Sequence, residues 1–462
     1  MKAKQYKRRR HAVVDAALTS GLAIFVGHEA VAQSAPAQPA TVASAVEEVI
    51  VTATRRQSTV EEIPYNISAM SGDALARTGT NDLAQLANQI PGFNFEDRGP
   101  RFAGSTVPIM RGLNASDTDR PGMVVEQMPV GTYIGNTPTV GFIPMTDLDR
   151  VEVLRGPQGT LYGAGSLGGA IRLIPNSPKL NEWSGSVEAS GTNTDHSADT
   201  GYSGSLLLNA PLGPIAAIRV SGRYEHQPGY IDEFGILARQ GNPVTGVPLL
   251  ANPTDVANSP GVYYNKLDAN YADISSGRVS LLVQPSDEFR VELVYNGSYV
   301  QGVNGDVDNP TYGGGPAPWD PRINLPASGN YQIVSTTLAP YYRHTDLTSL
   351  DVSYDAGFAT VSSTTAYGET SAVTGSDGNT LILGLPSTYL PYYTGNPINP
   401  RYVATMTDTD SDHRFTEEVR LVSKSGKTLD YVPRAGTDKK IVWICSSANI
   451  PAKVLPPGCN AR

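Results

Sequence analysis

The sequence predicts a compact α+β domain followed by an antiparallel β-region of the membrane-barrel kind. Three observations carry that reading. Beyond an N-terminal leader no run of eighteen or more apolar residues occurs, so nothing else crosses a bilayer as a helix. From about Trp183 onward the side chains alternate with period two, apolar against polar. The links between these alternating runs are tight on one side and about forty residues long on the other, the asymmetry of outer-membrane barrels. Where strands must span lipid, only a closed barrel satisfies every backbone group. The 23 Tyr, against 9 Phe and 3 Trp, suit a membrane–water boundary.

The leader, residues 1–32, has the layout of a secretory signal peptide: Lys2, Lys4, Lys7, Arg8, Arg9 and Arg10, a mostly apolar stretch from Ala12 to Val26, and the small triplet Ala30-Val31-Ala32. From Gln33 to Ala45 the chain is Ala, Pro, Ser, Gln and Thr, a composition that buries no core. Glu47-Glu48-Val49-Ile50-Val51-Thr52-Ala53 then has the make-up of a free β-strand able to join the edge of another protein's sheet. The plain alternative is an edge strand of the domain that follows.

That domain runs from 59 to 178. Short helices are expected at Ser71–Leu75 and Thr80–Ala87, capped by Ser71 and by Thr80 or Asn81, with Pro91-Gly92 ending the second. Strands are expected at 107–110, 123–125, 150–154 and 170–174. The barrel region, 183–432, is read as strands near 184–192, 201–210, 215–227, 274–284, 288–300, 347–355, 358–369 and 413–424, with a partial ninth at 428–432. Ile218, Val220, Gly222 and Tyr224 share one face against Arg219, Ser221, Arg223 and Glu225, and Phe289, Val291, Leu293, Tyr295 and Tyr299 oppose Arg290, Glu292, Asn296 and Ser298. Residues 433–462 leave the pattern.

Several motifs resist a chemical reading. Gly163-Ala164-Gly165-Ser166-Leu167-Gly168 matches a dinucleotide loop, but Gly168-Gly169-Ala170 leads into a strand and no βαβ units follow, so it reads as a glycine hinge. No metal-ligand spacing occurs among the six histidines, Asp306-Val307-Asp308-Asn309 lacks the rest of a calcium loop, and no nucleophile–base arrangement stands out. No catalytic residue, cofactor or metal is therefore assigned, and an enzyme is not expected. The excess of 44 acidic over 35 basic residues argues against nucleic acid, and Cys445 and Cys459, both near the end, provide no disulfide framework.

Glu47–Ala53, together with Val151-Glu152-Val153-Leu154-Arg155-Gly156-Pro157-Gln158-Gly159-Thr160-Leu161-Tyr162-Gly163, resembles the TonB-dependent outer-membrane receptors, over roughly residues 47–432. The resemblance implies that Glu47–Ala53, within the flexible segment 33–58, is the TonB box gripped by the energy-transducing protein TonB, and that 59–178 is the plug that fills the barrel. It makes Arg111-Gly112 and Arg155-Gly156 the two arginine–glycine corners, facing lumen carboxylates such as Glu188 or Glu292. Gly159, Tyr162, Gly163, Gly168 and Gly169 fall in the stretch that packs the plug within the barrel. It further implies the bacterial outer membrane, its lipid and barrel-assembly machinery as partners, and uptake of a scarce bulky solute, an iron–siderophore complex by the family's default.

The chain departs from that pattern in two places. Glu126-Gln127-Met128-Pro129-Val130 stands where the family often has an acidic residue and glycine before Val-Pro, which leaves that turn open. Family barrels have 22 strands and this chain supplies eight or nine, so a truncated or frame-shifted product is expected, with a non-transporting binding module or inactive fragment as the alternative function.

Overall fold

The structure is a computed structural model that describes residues 50–53, 58–63, 66–80, 82–96, 107–113, 129–139, 145–163, 165–241, 246–255, 259–303, 313–317, 320–377, 405–423, 430–435 and 441–446. The expected leader, the low-complexity lead-in, Glu47 to Val49, Glu126 to Met128, Asp306 to Asn309 and Cys459 lie outside the described residues.

The N-terminal domain begins with β1 (Ile50–Val51) paired to β2 (Ser58–Thr59). Strand β3 (Asn66–Ser71) leads into helix α1 (Gly72–Thr78), which starts where the sequence says it should: the Ser71 hydroxyl accepts the Ala74 amide, and Gly79 closes the helix in the left-handed region. Helix α2 (Leu83–Ala87) is capped by Asp82, whose carboxylate accepts the Gln85 amide at 2.7 Å, and not by Thr80; Asn81, the other expected cap, lies outside the described residues. Then come β4 (Phe93–Glu96), β5 (Val107–Met110), β6 (Val130–Ile134), β7 (Thr137–Pro138), β8 (Leu148–Arg155), the one-turn helix α3 (Gly159–Tyr162) and β9 (Gly169–Pro175). The five-stranded sheet has the order β3-β8-β9-β6-β7, with β6 and β9 parallel. Leu75, Leu86, Ile90, Phe93, Met110, Val151, Val153, Ile171 and Leu173 form its core. The expected strand at 123–125 falls outside the described residues.

The wall begins with β10 (Ser184–Asn193), β11 (Thr200–Gly213) and β12 (Ala216–Gln227). The excursion after β12 holds β13 (Asp232–Leu237), β14 (Arg239–Gln240), β15 (Val247–Pro248) and β16 (Tyr263–Lys266). The wall resumes with β17 (Ala272–Val283) and β18 (Phe289–Val303). A second excursion carries β19 (Gly315–Ala317), β20 (Asp320–Leu325) and β21 (Gln332–Val334). Next come β22 (Pro340–Asp355), β23 (Ala359–Asp377), β24 (Thr405–Ser423), β25 (Asp430–Ala435) and β26 (Ile441–Ser446). Neighbours in sequence pair antiparallel to form one sheet of ten strands, β10-β11-β12-β17-β18-β22-β23-β24-β25-β26. The sheet therefore holds ten strands where the sequence predicts eight or nine, and β26 lies in the segment where the alternation seemed to end. Pro433 interrupts β25's sequence pattern, but its backbone still pairs with Trp443 of β26, while the ladder to β24 is carried by Arg434 and Tyr431 on either side of it.

Alternation sets which face looks where. Leu206, Leu208, Val279, Leu293, Leu350, Val361 and Val419 are exposed on the outer face, a band suited to hydrocarbon. Tyr202, Tyr224, Tyr295, Tyr299, Tyr342 and Tyr367 are also exposed, and lie toward the end of the strands that carries the long excursions. On the inner face Arg219, Ser221, Arg278, Ser280, Asn296, Ser298, Arg343, Thr345 and Ser349 are buried, as the period-two reading of β12 and β18 requires. No helix among the described residues is long and apolar enough to cross a membrane.

Candidate functional site

Three pieces of the N-terminal domain make up the candidate site: the segment Ile50–Ala53, the strand pair β8–β9, and the surface that meets the wall. The first is not free, contrary to the sequence expectation. Ile50 is 55 % exposed, but Val51 and Ala53 are 0 % exposed and pack with Ile63, Ile67, Tyr133, Leu154, Tyr162 and Ala170. Nor is it an edge strand of the five-stranded sheet, because β1 pairs only with β2. Polar contacts hold it as well. The Thr52 amide donates to Glu152 Oε1 at 2.8 Å, and the Tyr162 hydroxyl donates to the Ala53 carbonyl at 2.6 Å.

Glu152 sits on β8 directly across from Arg172 on β9. The Glu152 carboxylate, 0 % exposed, takes Arg172 Nη1 at 2.6 Å and Arg150 Nε at 2.8 Å. Both arginines also reach the Thr52 hydroxyl, at 2.8 and 3.0 Å. Burial alone would raise the Glu152 pKa, but the Arg172 charge, the Thr52 amide and the Arg150 charge outweigh it and hold the carboxyl below its ordinary range. Arg172 continues to Gly135 O and Asn136 Oδ1, and Asn136 Nδ2 faces Asp351 Oδ1 of the wall at 3.4 Å. The sequence reading did not single out Glu152, Arg150 or Arg172 as site residues. Their signal is an acid within the apolar run Val151-Glu152-Val153-Leu154 and a base within Ala170-Ile171-Arg172-Leu173, opposite charges in apolar runs of two adjoining strands.

The arginine–glycine corners meet each other rather than the wall. Arg111 (φ 54°) and Gly112 (φ 74°) form a left-handed corner, and the Arg111 guanidinium lies over Gly156, where an added Cβ would come within 3.0 Å of Arg111 Cζ. Arg111 Nη2 reaches Arg155 O at 3.4 Å; Arg155 itself binds Pro91 O and, at 3.2 Å, Ser68 Oγ. The expected wall carboxylates are engaged elsewhere: Glu292 with Arg290 and the Ser177 hydroxyl, Glu188 with Ser205. Gly159 opens α3, Tyr162 lies buried within it, and Gly163 ends it at φ 83°. Gly168 donates its amide to Pro129 O at 2.7 Å, and Gly169 is packed so closely that a Cβ would lie 2.3 Å from Leu154 O. The glycine run thus turns the chain into β9, as expected of a hinge and not of a nucleotide loop.

The ionic contact between domain and wall has the polarity opposite to expectation. Asp147, just before β8 at φ 53°, is clamped by Arg219 of β12 (Nε at 2.8 Å, Nη2 at 2.6 Å) and by Arg278 of β17. Asn176 Nδ2 adds a bond to the same carboxylate at 2.9 Å. Leu347 of β22 inserts among the domain's core residues. Between Asn136 and Ser177 on one side and Glu292, Ser349 and Asp351 on the other lies a polar cavity of about 320 Å³.

At the other end the two excursions fold together. Strand β13 pairs with β16 antiparallel and with β21 in parallel, joining Asp232 to Gln332. Phe234, Tyr263, Ile323, Leu325 and Val334 form a small core beneath them, and Asn270 Oδ1 accepts the amides of Tyr230 and Ile231. The excursions therefore form a structured cap over the strand ends.

Comparison with known proteins agrees with this architecture. Residues 59–170 match the model of the TonB-dependent Receptor Plug Domain. Residues 59–170 are thus a plug domain of the TonB-dependent receptor kind. The plug is the N-terminal domain, the wall is barrel sheet, and the chain's location is the bacterial outer membrane. The vitamin B12 transporter BtuB of Vibrio vulnificus is 25 % identical over 182 residues, 39 % of this chain and 28 % of that protein. The ferripyoverdine receptor of Pseudomonas aeruginosa is 29 % identical over 191 residues, 40 % of this chain and 21 % of the receptor. Both are transport receptors by name, not enzymes. The crystal structure of the ferric yersiniabactin uptake receptor FyuA from Yersinia pestis superposes with a TM-score of 0.52 at 19 % identity, covering 80 % of this chain and 47 % of FyuA. The chain thus spans less than half the length of that receptor, and its matches cover under a third of the two curated relatives.

Proposed function

We propose that the chain serves in energy-coupled uptake of a scarce, bulky solute across the outer membrane, with a ferric siderophore as the cargo class. The observation that carries this reading is the docked segment Ile50–Ala53: a short extended stretch held on the plug by a few exchangeable polar contacts, preceded by a low-complexity lead-in. Such a segment suits capture by strand addition once it leaves its seat, and TonB is the partner the family resemblance implies. The structured cap made by β13, β16 and β21 suits solute capture on the outer side, and ferripyoverdine and ferric yersiniabactin receptors are among the relatives. Outer-membrane lipid and the barrel-assembly machinery complete the partners, and no catalytic step is assigned to the chain. Growth of a deletion strain under iron limitation, with and without the gene restored, tests the cargo; equal growth in both refutes iron uptake.

A second reading is favoured by one feature. Among the described residues, strand β10 is exposed on both faces and pairs with β11 alone. On that reading the chain is a binding module with a folded plug and no transport. Loss of uptake alongside retained TonB binding would select it.

A further inference from the structure

We propose that Glu152, Arg150 and Arg172 form a latch that keeps Thr52, and with it the segment proposed to bind TonB, seated on the plug until the β8–β9 pair is disturbed. This deepens the reading of Glu47–Ala53 as the TonB box and rests on it only for the identity of the partner. The latch has one buried carboxylate, two guanidinium groups and a threonine that touches all three, through its amide and hydroxyl to Glu152 and through its hydroxyl to both arginines. Seating the segment completes the coordination of a buried ion-pair cluster, and lifting it strands the carboxylate's hydrogen bond. The same Arg172 spans to Gly135 O and Asn136 Oδ1 in the β6–β7 turn, whose Asn136 abuts Asp351 of the wall. A shift of that turn against the wall therefore acts on the group that grips Thr52. The latch residues lie on the paired strands β8 and β9, whose register sets Glu152 across from Arg172 at the seat of Thr52.

The test uses the full chain in outer-membrane vesicles, with Cys445 and Cys459 replaced by serine. An Ala53→Cys thiol reports unseating through its alkylation rate, because Ala53 is buried when seated. A Val130→Cys thiol, in the plug core away from the segment, reports general loosening. Glu152→Gln is expected to speed alkylation at position 53 by about 10- to 100-fold, the range of a lost charge-assisted hydrogen bond, and to leave position 130 unchanged. Thr52→Val, which keeps the amide and removes only the hydroxyl, is expected to give a rise of a few fold at position 53. An unchanged rate at position 53 in Glu152→Gln overturns the latch. If Glu152→Gln loosens both positions, Thr52→Val decides: a rise confined to position 53 supports the latch and no rise overturns it. Binding of a peptide of residues 47–53 to purified TonB is measured separately. Failure there removes the partner but leaves the latch standing.

Discussion

Replacing Asp147 by Asn should release the plug from the wall more than any other single isosteric change among the described residues. Asp147 has a side chain only 2 % exposed, and its two oxygens take the Arg219 fork, Arg278 and Asn176. Removing the charge leaves two buried guanidinium groups facing an amide that cannot neutralise them. Breaking a buried ion pair from one side costs about 3–5 kcal/mol. The Asn amide oxygen still accepts a hydrogen bond from the guanidinium groups, so the lower figure, about 3 kcal/mol, is the working value. Asn is the right substitution because Asp147 sits at φ 53°, a conformation Asn tolerates and Ala does not, so no backbone strain is added. Urea titration of the full chain, read by alkylation of a Leu173→Cys thiol in the plug core, measures the loss. With a urea slope of about 1.5 kcal/mol/M, 3 kcal/mol lowers the midpoint by about 2 M. Arg219→Gln should cost less, because Arg278 remains to balance Asp147. A midpoint shift below about 0.3 M for Asp147→Asn, or a larger loss for Arg219→Gln, refutes the claim that this carboxylate is the electrostatic anchor.

Three other outcomes follow from the same contacts. Gly169→Ala should prevent the plug from closing, since a Cβ there lies 2.3 Å from both Leu154 O and Met110 Sδ; overpacking of this kind costs about 3 kcal/mol or more, visible as lost protease resistance of the plug. Tyr162→Phe removes the hydroxyl that holds the Ala53 carbonyl and should cost about 1–1.5 kcal/mol, raising alkylation of an Ala53→Cys thiol about tenfold with the plug core unaffected. Acid should loosen the segment as well: Glu152 has a depressed pKa when folded, so its contribution is fully present above the ordinary glutamate value of about 4.3 and is lost as pH falls through the lower folded value. Alkylation at position 53, corrected for reagent chemistry, should therefore be flat from pH 7 to 5 and rise only in stronger acid, with Glu152→Gln showing no such rise; a transition near neutral pH would exclude Glu152 as its source.

What the sequence shows and what it hides divide along a physical line. Wall strands are legible because each residue of β12 or β18 meets only one of two solvents, lipid or the wet lumen, and the pleat sorts them strictly: Ile218 and Val220 outward, Arg219 and Ser221 inward. The Ser71 cap is legible because it is decided within four residues. Contacts made by partners far apart in the chain leave no local mark. Asp232 and Gln332 pair in parallel across two long excursions, and Asp147 meets arginines 72 and 131 positions away. The segment Ile50–Ala53, proposed above as part of the TonB box, is the instructive intermediate. Its β-branched run and the polar residues after it suggest a free strand, yet two of its apolar side chains are fully buried. A segment selected to add to a partner's sheet must be apolar and extended, and those same properties give it a resting seat on its own plug. The signal that it is stowed lies elsewhere, in Glu152 and Arg172. A charge in the middle of an apolar strand is costly unless paired, and two such charges of opposite sign on adjoining strands satisfy each other. The carboxylate still has acceptor capacity left over, and a passing backbone amide fills it. Here opposite charges within neighbouring plug strands mark the seat of Ile50–Ala53, even where the segment's own sequence argues for freedom.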